Sequence, residues 1–163
     1  MSKKLGFYTL TNETIKSMKD LVKVTKETQK EFGSDLCANI KNELISRNTC
    51  SGSYCEVIRK CQCNDKEILA GGFHTHVRTP EPSLADLVLA MEYGIECIGS
   101  GKYNRINCYI IKKNIKSEDK NDILSKSSEL LNKVRNVTFY DHVKMKDLEI
   151  LIKKEYVDKF SIK

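Results

Sequence analysis

The sequence is poor in proline, with two, and in histidine, with three, and it holds no apolar run of the 18 residues that a membrane-spanning helix needs. Met1-Ser-Lys-Lys opens the chain without the apolar stretch of a signal peptide, so a cytoplasmic protein with no membrane partner is expected. Internal repeats, low-complexity tracts and linkers are lacking too, and 163 residues fit one domain. With 40% hydrophobic and 31% charged residues, the composition excludes a disordered chain and suits a globular one.

What is present is an even spread of lysine and seven cysteines. The net charge of +6 comes from lysines along the whole length rather than one basic tract, the pattern of a solvated surface. It leaves a nucleic acid partner open without pointing to one. Four of the cysteines (Cys50, Cys55, Cys61, Cys63) crowd one segment, and Cys37, Cys97 and Cys108 lie outside it. Their spacing is not the paired Cys-x2-Cys of zinc ribbons, so buried thiols, one or two disulfides, or a second metal site are the alternatives.

Hydrophobic periodicity outlines the elements. Ile15, Met18, Leu21, Val22 and Val24 predict an amphipathic helix from Asn12 to about Lys30, capped by Thr11 or Asn12 and stopped before Gly33. Strands are expected at 35–40, 43–46, 54–60 and 68–75, and again at 95–99 and 106–112. The two prolines of Val77-Arg-Thr-Pro-Glu-Pro82 enforce a loop, after which Ser83 opens a helix closed by Gly94. Two further helices, around Ile123–Val134 and Met145–Tyr156, complete an α/β or α+β single domain with helices against a curved mixed sheet.

Chemistry concentrates in Gly71-Gly-Phe-His-Thr-His-Val-Arg-Thr-Pro-Glu-Pro-Ser-Leu-Ala-Asp86. Side chains alternate along a strand, so His74 and His76 face the same side and both imidazoles can reach one ion. Asp86, on the first turn of the helix that Ser83 opens, can return as a third ligand, leaving a fourth position free, as hydrolytic zinc sites require. Ser83-Leu-Ala-Asp86 also has the form of a capping box with aspartate in place of glutamate. His142, in Tyr140-Asp-His-Val143, is read as a surface or loop residue.

Phe73-His74-Thr75-His76, a short loop and Ser83-x-x-Asp86 resemble the signature of the JAB/JAMM (MPN-plus) zinc metalloproteases, in its prokaryotic or viral form. Six residues rather than seven separate His76 from Ser83, and Val77 stands where the family usually has proline. The family's upstream glutamate, in a Glu-x-x-Gly-x-Leu setting, is matched by Glu31-Phe-Gly-Ser-Asp-Leu36, with the glycine one place early and Glu27 in reserve. The resemblance covers about residues 12–112. Beyond it, 113–163 is expected to form a C-terminal helical extension.

The resemblance implies a cytidine deaminase-like JAB/MPN fold. It implies that His74, His76 and Asp86 bind Zn2+, that Glu31 holds and deprotonates the attacking water, and that Ser83 steadies the oxyanion. The implied activity is cleavage of isopeptide or peptide bonds, with a ubiquitin-like protein conjugate or another protein or peptide as substrate. Two alternatives stay open. A PHP-like metal-dependent phosphoesterase also starts from a His-x-His strand, and JAMM-like folds also serve as non-catalytic interaction modules.

Overall fold

A computed structural model describes residues 2–51, 62–112, 116–134 and 140–162. Its elements run β1 (Lys3–Leu5), β2 (Tyr8–Leu10), α1 (Asn12–Thr28), β3 (Phe32–Ala38), β4 (Glu43–Ser51), β5 (Ile68–His76), α2 (Leu84–Tyr93), β6 (Ile95–Ser100), β7 (Arg105–Ile111), α3 (Ser117–Val134), α4 (Tyr140–Tyr156) and β8 (Val157–Ile162). Among the described residues the strands form one mixed eight-stranded sheet in the order β1-β2-β4-β3-β5-β6-β7-β8. Helices flank it, as the sequence predicts.

The alternation of residues along the strands sorts the core into two layers. On one face α1 lays Ile15, Met18 and Val22 against Leu36, Phe73, Cys97, Ile106 and Cys108. On the other, Leu84, Leu87 and Met91 of α2 pack with Ile98 and Tyr109 of the sheet and with Ile152 and Val157 near the C-terminus. Fully burying one such aliphatic or aromatic side chain stabilises the fold by about 1.5–3 kcal/mol before conformational entropy is charged against it.

Pairing in the middle of the sheet positions the site. β3 runs antiparallel to β5 with Gly33 opposite His74. β5 runs parallel to β6, with Gly72 opposite Glu96 and His74 opposite Ile98. A parallel pair needs a crossover, and α2 is that crossover, so the helix that carries Asp86 starts next to the end of the strand that carries the histidines. Gly71 lets β5 approach β6 closely: a Cβ there would lie 1.7 Å from the carbonyl oxygen of Ile95.

Several expected boundaries move. Thr11 does cap α1, its hydroxyl accepting from the Thr14 N–H at 3.2 Å. The helix ends earlier than predicted, at Gln29, which takes the left-handed conformation at φ 58° and donates its N–H to the Thr25 carbonyl. Gly33 is therefore a residue of β3 rather than a stop signal. The C-terminal extension is not wholly helical, because Val157–Ile162 adds β8 to the sheet edge against β7. β1 and β2 were not expected; they are three-residue strands hinged on Gly6 at φ +62°. The strand expected at 54–60 lies outside the described residues.

The cysteines of the described part are oxidised. Disulfides join Cys37 to Cys63 and Cys97 to Cys108, and Cys50 is disulfide-bonded as well. Such bonds persist in oxidising surroundings or in hyperthermophile cytosol rather than in a glutathione-reduced one. No helix among the described residues is long and apolar enough to cross a membrane.

Candidate metal centre

His74 and His76 end β5 on the face covered by α2, and Asp86 sits in the first turn of that helix. The three side chains converge. His74 Nε2 lies 3.0 Å from Asp86 Oδ1 and 3.0 Å from His76 Nε2, and His76 Nε2 lies 3.6 Å from Asp86 Oδ2. Ligand atoms held about 2.0–2.1 Å from a tetrahedral zinc ion stand about 3.3 Å from one another, so these separations match one coordination sphere.

Each side chain is aimed by a second contact. His74 donates Nδ1–H to Glu96 Oε1 at 2.8 Å, and His76 donates Nδ1–H to the Thr79 carbonyl at 3.1 Å. With both Nδ1 atoms engaged, the two Nε2 atoms are left to face the common point. Asp86 is oriented by the capping box. Its Oδ2 accepts the Ser83 N–H at 2.8 Å while its own N–H donates to Ser83 Oγ at 3.2 Å, which turns Oδ1 towards His74. The capping motif and the ligand position are thus the same arrangement seen from two sides.

The loop between His76 and Ser83 is held at both ends and in the middle. Gly101 N–H donates to the His76 carbonyl at 3.0 Å and Lys102 N–H to the Val77 carbonyl at 3.1 Å. The Ser100 hydroxyl donates to the Arg78 carbonyl, and the buried Tyr109 hydroxyl donates to the Pro80 carbonyl at 3.3 Å. Lys153 of α4 and Lys159 of β8 pair with Glu81. The C-terminal segment therefore braces the loop that delivers Asp86, and its six residues, 77–82, bring the helix back to the histidines.

Electrostatics follow from this packing. Burial pulls the His74 pKa down, but hydrogen bonds and charge from Asp86 and Glu96 overcome it and raise it from 6.5 to about 10. Burial also works against the Asp86 carboxylate, yet His74, the Ser83 N–H and His76 outweigh it and hold its pKa below the ordinary value. Without a cation, these contacts favour a protonated His74 held between Asp86 and Glu96. Divalent metal can take the place of that proton.

Another group with ligand spacing is Cys37, Cys63 and Glu67. Its two thiols are joined to each other, and Glu67 is gripped by Arg47 through two 2.7 Å contacts. It offers no comparable set of free lone pairs.

Ser83 is exposed at the N-terminus of α2, beside Asp86. Glu31 is exposed just before β3, and among the described residues it makes no hydrogen bond or ion pair with the cluster. β3 begins at Phe32, so Glu31 lies just outside the strand, two residues before Gly33, which pairs with His74. Glu27 instead lines a groove with Lys23, Lys26 and Ile106, in the α1 layer. His142 falls on α4 rather than in a loop, and its side chain lies outside the described residues. Glu96 was missed by sequence reasoning: it lies in an apolar strand, and its one visible signal was a charge between Ile95 and Cys97.

No protein-family model matches the chain, and no curated protein matches it in sequence. Among solved structures, a JAB1/MPN domain protein from Archaeoglobus fulgidus is similar at 18% identity, over 62% of this chain and 87% of that one, with a TM-score of 0.44. The chemistry of the centre rests on its own geometry: a His-His-Asp set that could hold a metal ion.

Proposed function

We propose that the protein is a zinc-dependent hydrolase of the JAMM type that cleaves isopeptide or peptide bonds, with conjugates of a ubiquitin-like protein as its substrate class. The observation that carries this reading is the convergence of His74 Nε2, His76 Nε2 and Asp86 Oδ1, each aimed by a separate hydrogen bond. Two neutral imidazoles and a carboxylate suit zinc and leave a place for solvent. Held by His74, His76 and Asp86, zinc would supply Lewis acidity towards the scissile carbonyl and the attacking water.

The remaining roles fall to the chain's own groups. Glu31 takes the proton of the attacking water and returns it to the leaving amine, a task that its place two residues before Gly33, the strand partner of His74, suits. The Ser83 hydroxyl accepts from Asp86 N–H and keeps its own hydrogen for the carbonyl oxygen as that oxygen gains charge. Asp86 and the histidines need no rearrangement, since the capping box and the pinned loop already fix them.

The test is cleavage of isopeptide-linked conjugates of ubiquitin-like proteins by the zinc-loaded protein, alongside Glu31→Gln. That variant is expected to keep its zinc and lose about 10²–10⁴-fold in rate, the contribution typical of a positioned general base. Cleavage by Glu31→Gln at the parent rate would remove Glu31 from the reaction, and absence of cleavage across peptide and isopeptide substrates by zinc-loaded parent protein would remove the activity.

A further inference from the structure

We infer that Glu96 is the positioning residue of the metal centre, fixing His74 as its strongest imidazole ligand and setting the affinity of the site; the inference rests on the zinc reading above. Glu96 is 1% exposed, within a strand whose six residues are all buried. A carboxylate in that setting is costly unless a charged or hydrogen-bonding partner meets it. Among the described residues its hydrogen-bond partner is His74 Nδ1, at 2.8 Å.

The sheet explains why the contact is available. The parallel register sets Glu96 opposite Gly72, which has no side chain, and one pair below His74 on the same face. Glu96 can therefore reach across from β6 to the ring behind its coordinating atom. It does not touch the solvent side of the cluster, where a substrate would lie.

Two effects on the ligand follow. Accepting Nδ1–H keeps His74 in the tautomer whose Nε2 lone pair faces the ion, and the negative charge makes that imidazole a stronger donor. It also balances charge: zinc with two neutral imidazoles and Asp86 carries a net positive charge that one more carboxylate cancels within a buried strand layer. His76 receives no such help, because its Nδ1–H goes to the neutral carbonyl of Thr79. The two histidines are therefore unequal ligands.

The experiment measures the zinc dissociation constant by chelator competition, and the visible spectrum of the Co2+-substituted protein, for the parent, Glu96→Gln, Glu96→Met and His74→Ala. Outer-shell partners of this kind are typically worth about 10–100-fold in affinity, so Glu96→Gln is expected near about 10-fold weaker and Glu96→Met near about 100-fold weaker. Both should shift the Co2+ bands, which a role in packing alone would leave in place. Parent-like zinc affinity in Glu96→Gln and Glu96→Met, with His74→Ala still weakened, would overturn the role of Glu96 and leave the metal centre standing. Parent-like affinity in His74→Ala as well would overturn both.

Discussion

Raising the pH of the metal-free protein from about 6.5 to about 9.5 should destabilise it through one residue, His74. Its folded pKa of about 10 stands above the 6.5 of an unperturbed imidazole, so the folded state holds a proton that the unfolded chain releases. The stabilisation is complete below the unfolded pKa and is lost as pH climbs through the folded one. At about 1.4 kcal/mol per pH unit, three units give about 4 kcal/mol as an upper bound. The ring is 19% exposed, which reduces this. A loss of about 2–3 kcal/mol is the working figure, a large part of a typical 5–15 kcal/mol total. Urea unfolding in the presence of a chelator across this window measures it, with His74→Gln as control. The parent should lose stability steadily and the variant should stay nearly flat. The acid side has the opposite sign. Asp86 has a lowered pKa, so its contribution is present above the unfolded carboxylate value and lost as pH falls through the folded one. A flat parent curve from about pH 6.5 to about pH 9.5, or an equal slope in His74→Gln, would refute the buried imidazolium between two carboxylates.

Two other expectations concern the scaffold. Gly71→Ala drives a methyl group to 1.7 Å from the Ile95 carbonyl oxygen, so β5 and β6 must separate; a cost of at least about 3 kcal/mol by urea unfolding is expected, and a parent-like midpoint would contradict the close approach. Reduction of the Cys97–Cys108 bond, which closes a separation of 11 residues, should cost about 3 kcal/mol in a chain-entropy account. Thiol alkylation of the native protein followed by mass measurement checks the premise. Free Cys97 and Cys108 in protein prepared without reductant would contradict it.

The histidine pair was legible because strand alternation is a local rule: two residues apart on a strand means one face. Asp86 was legible through Ser83, since a helix start fixes where the third residue after it points. The distances then show that the short loop does not pull them apart, which spacing alone could not establish, because the closure depends on Tyr109, Ser100 and two lysines far away in sequence. Glu96 was invisible for a related reason. Its partner is set by a parallel register, and register between non-adjacent segments is a tertiary property. β8 was missed because Val157–Ile162 is a short, partly exposed edge strand following directly on a helix, and β1 and β2 are shorter than the window in which alternation can be seen. The early end of α1 came from Gln29 adopting a left-handed cap that glycine usually supplies.

The most direct measurement is the metal content of the purified protein and of His74→Ala and Asp86→Ala, read by elemental analysis after dialysis against trace zinc. The parent should carry about one zinc per chain, and each variant should lose most of it while retaining a folded far-ultraviolet spectrum. Equal zinc in all three proteins, or none in the parent, would contradict a centre built on His74, His76 and Asp86.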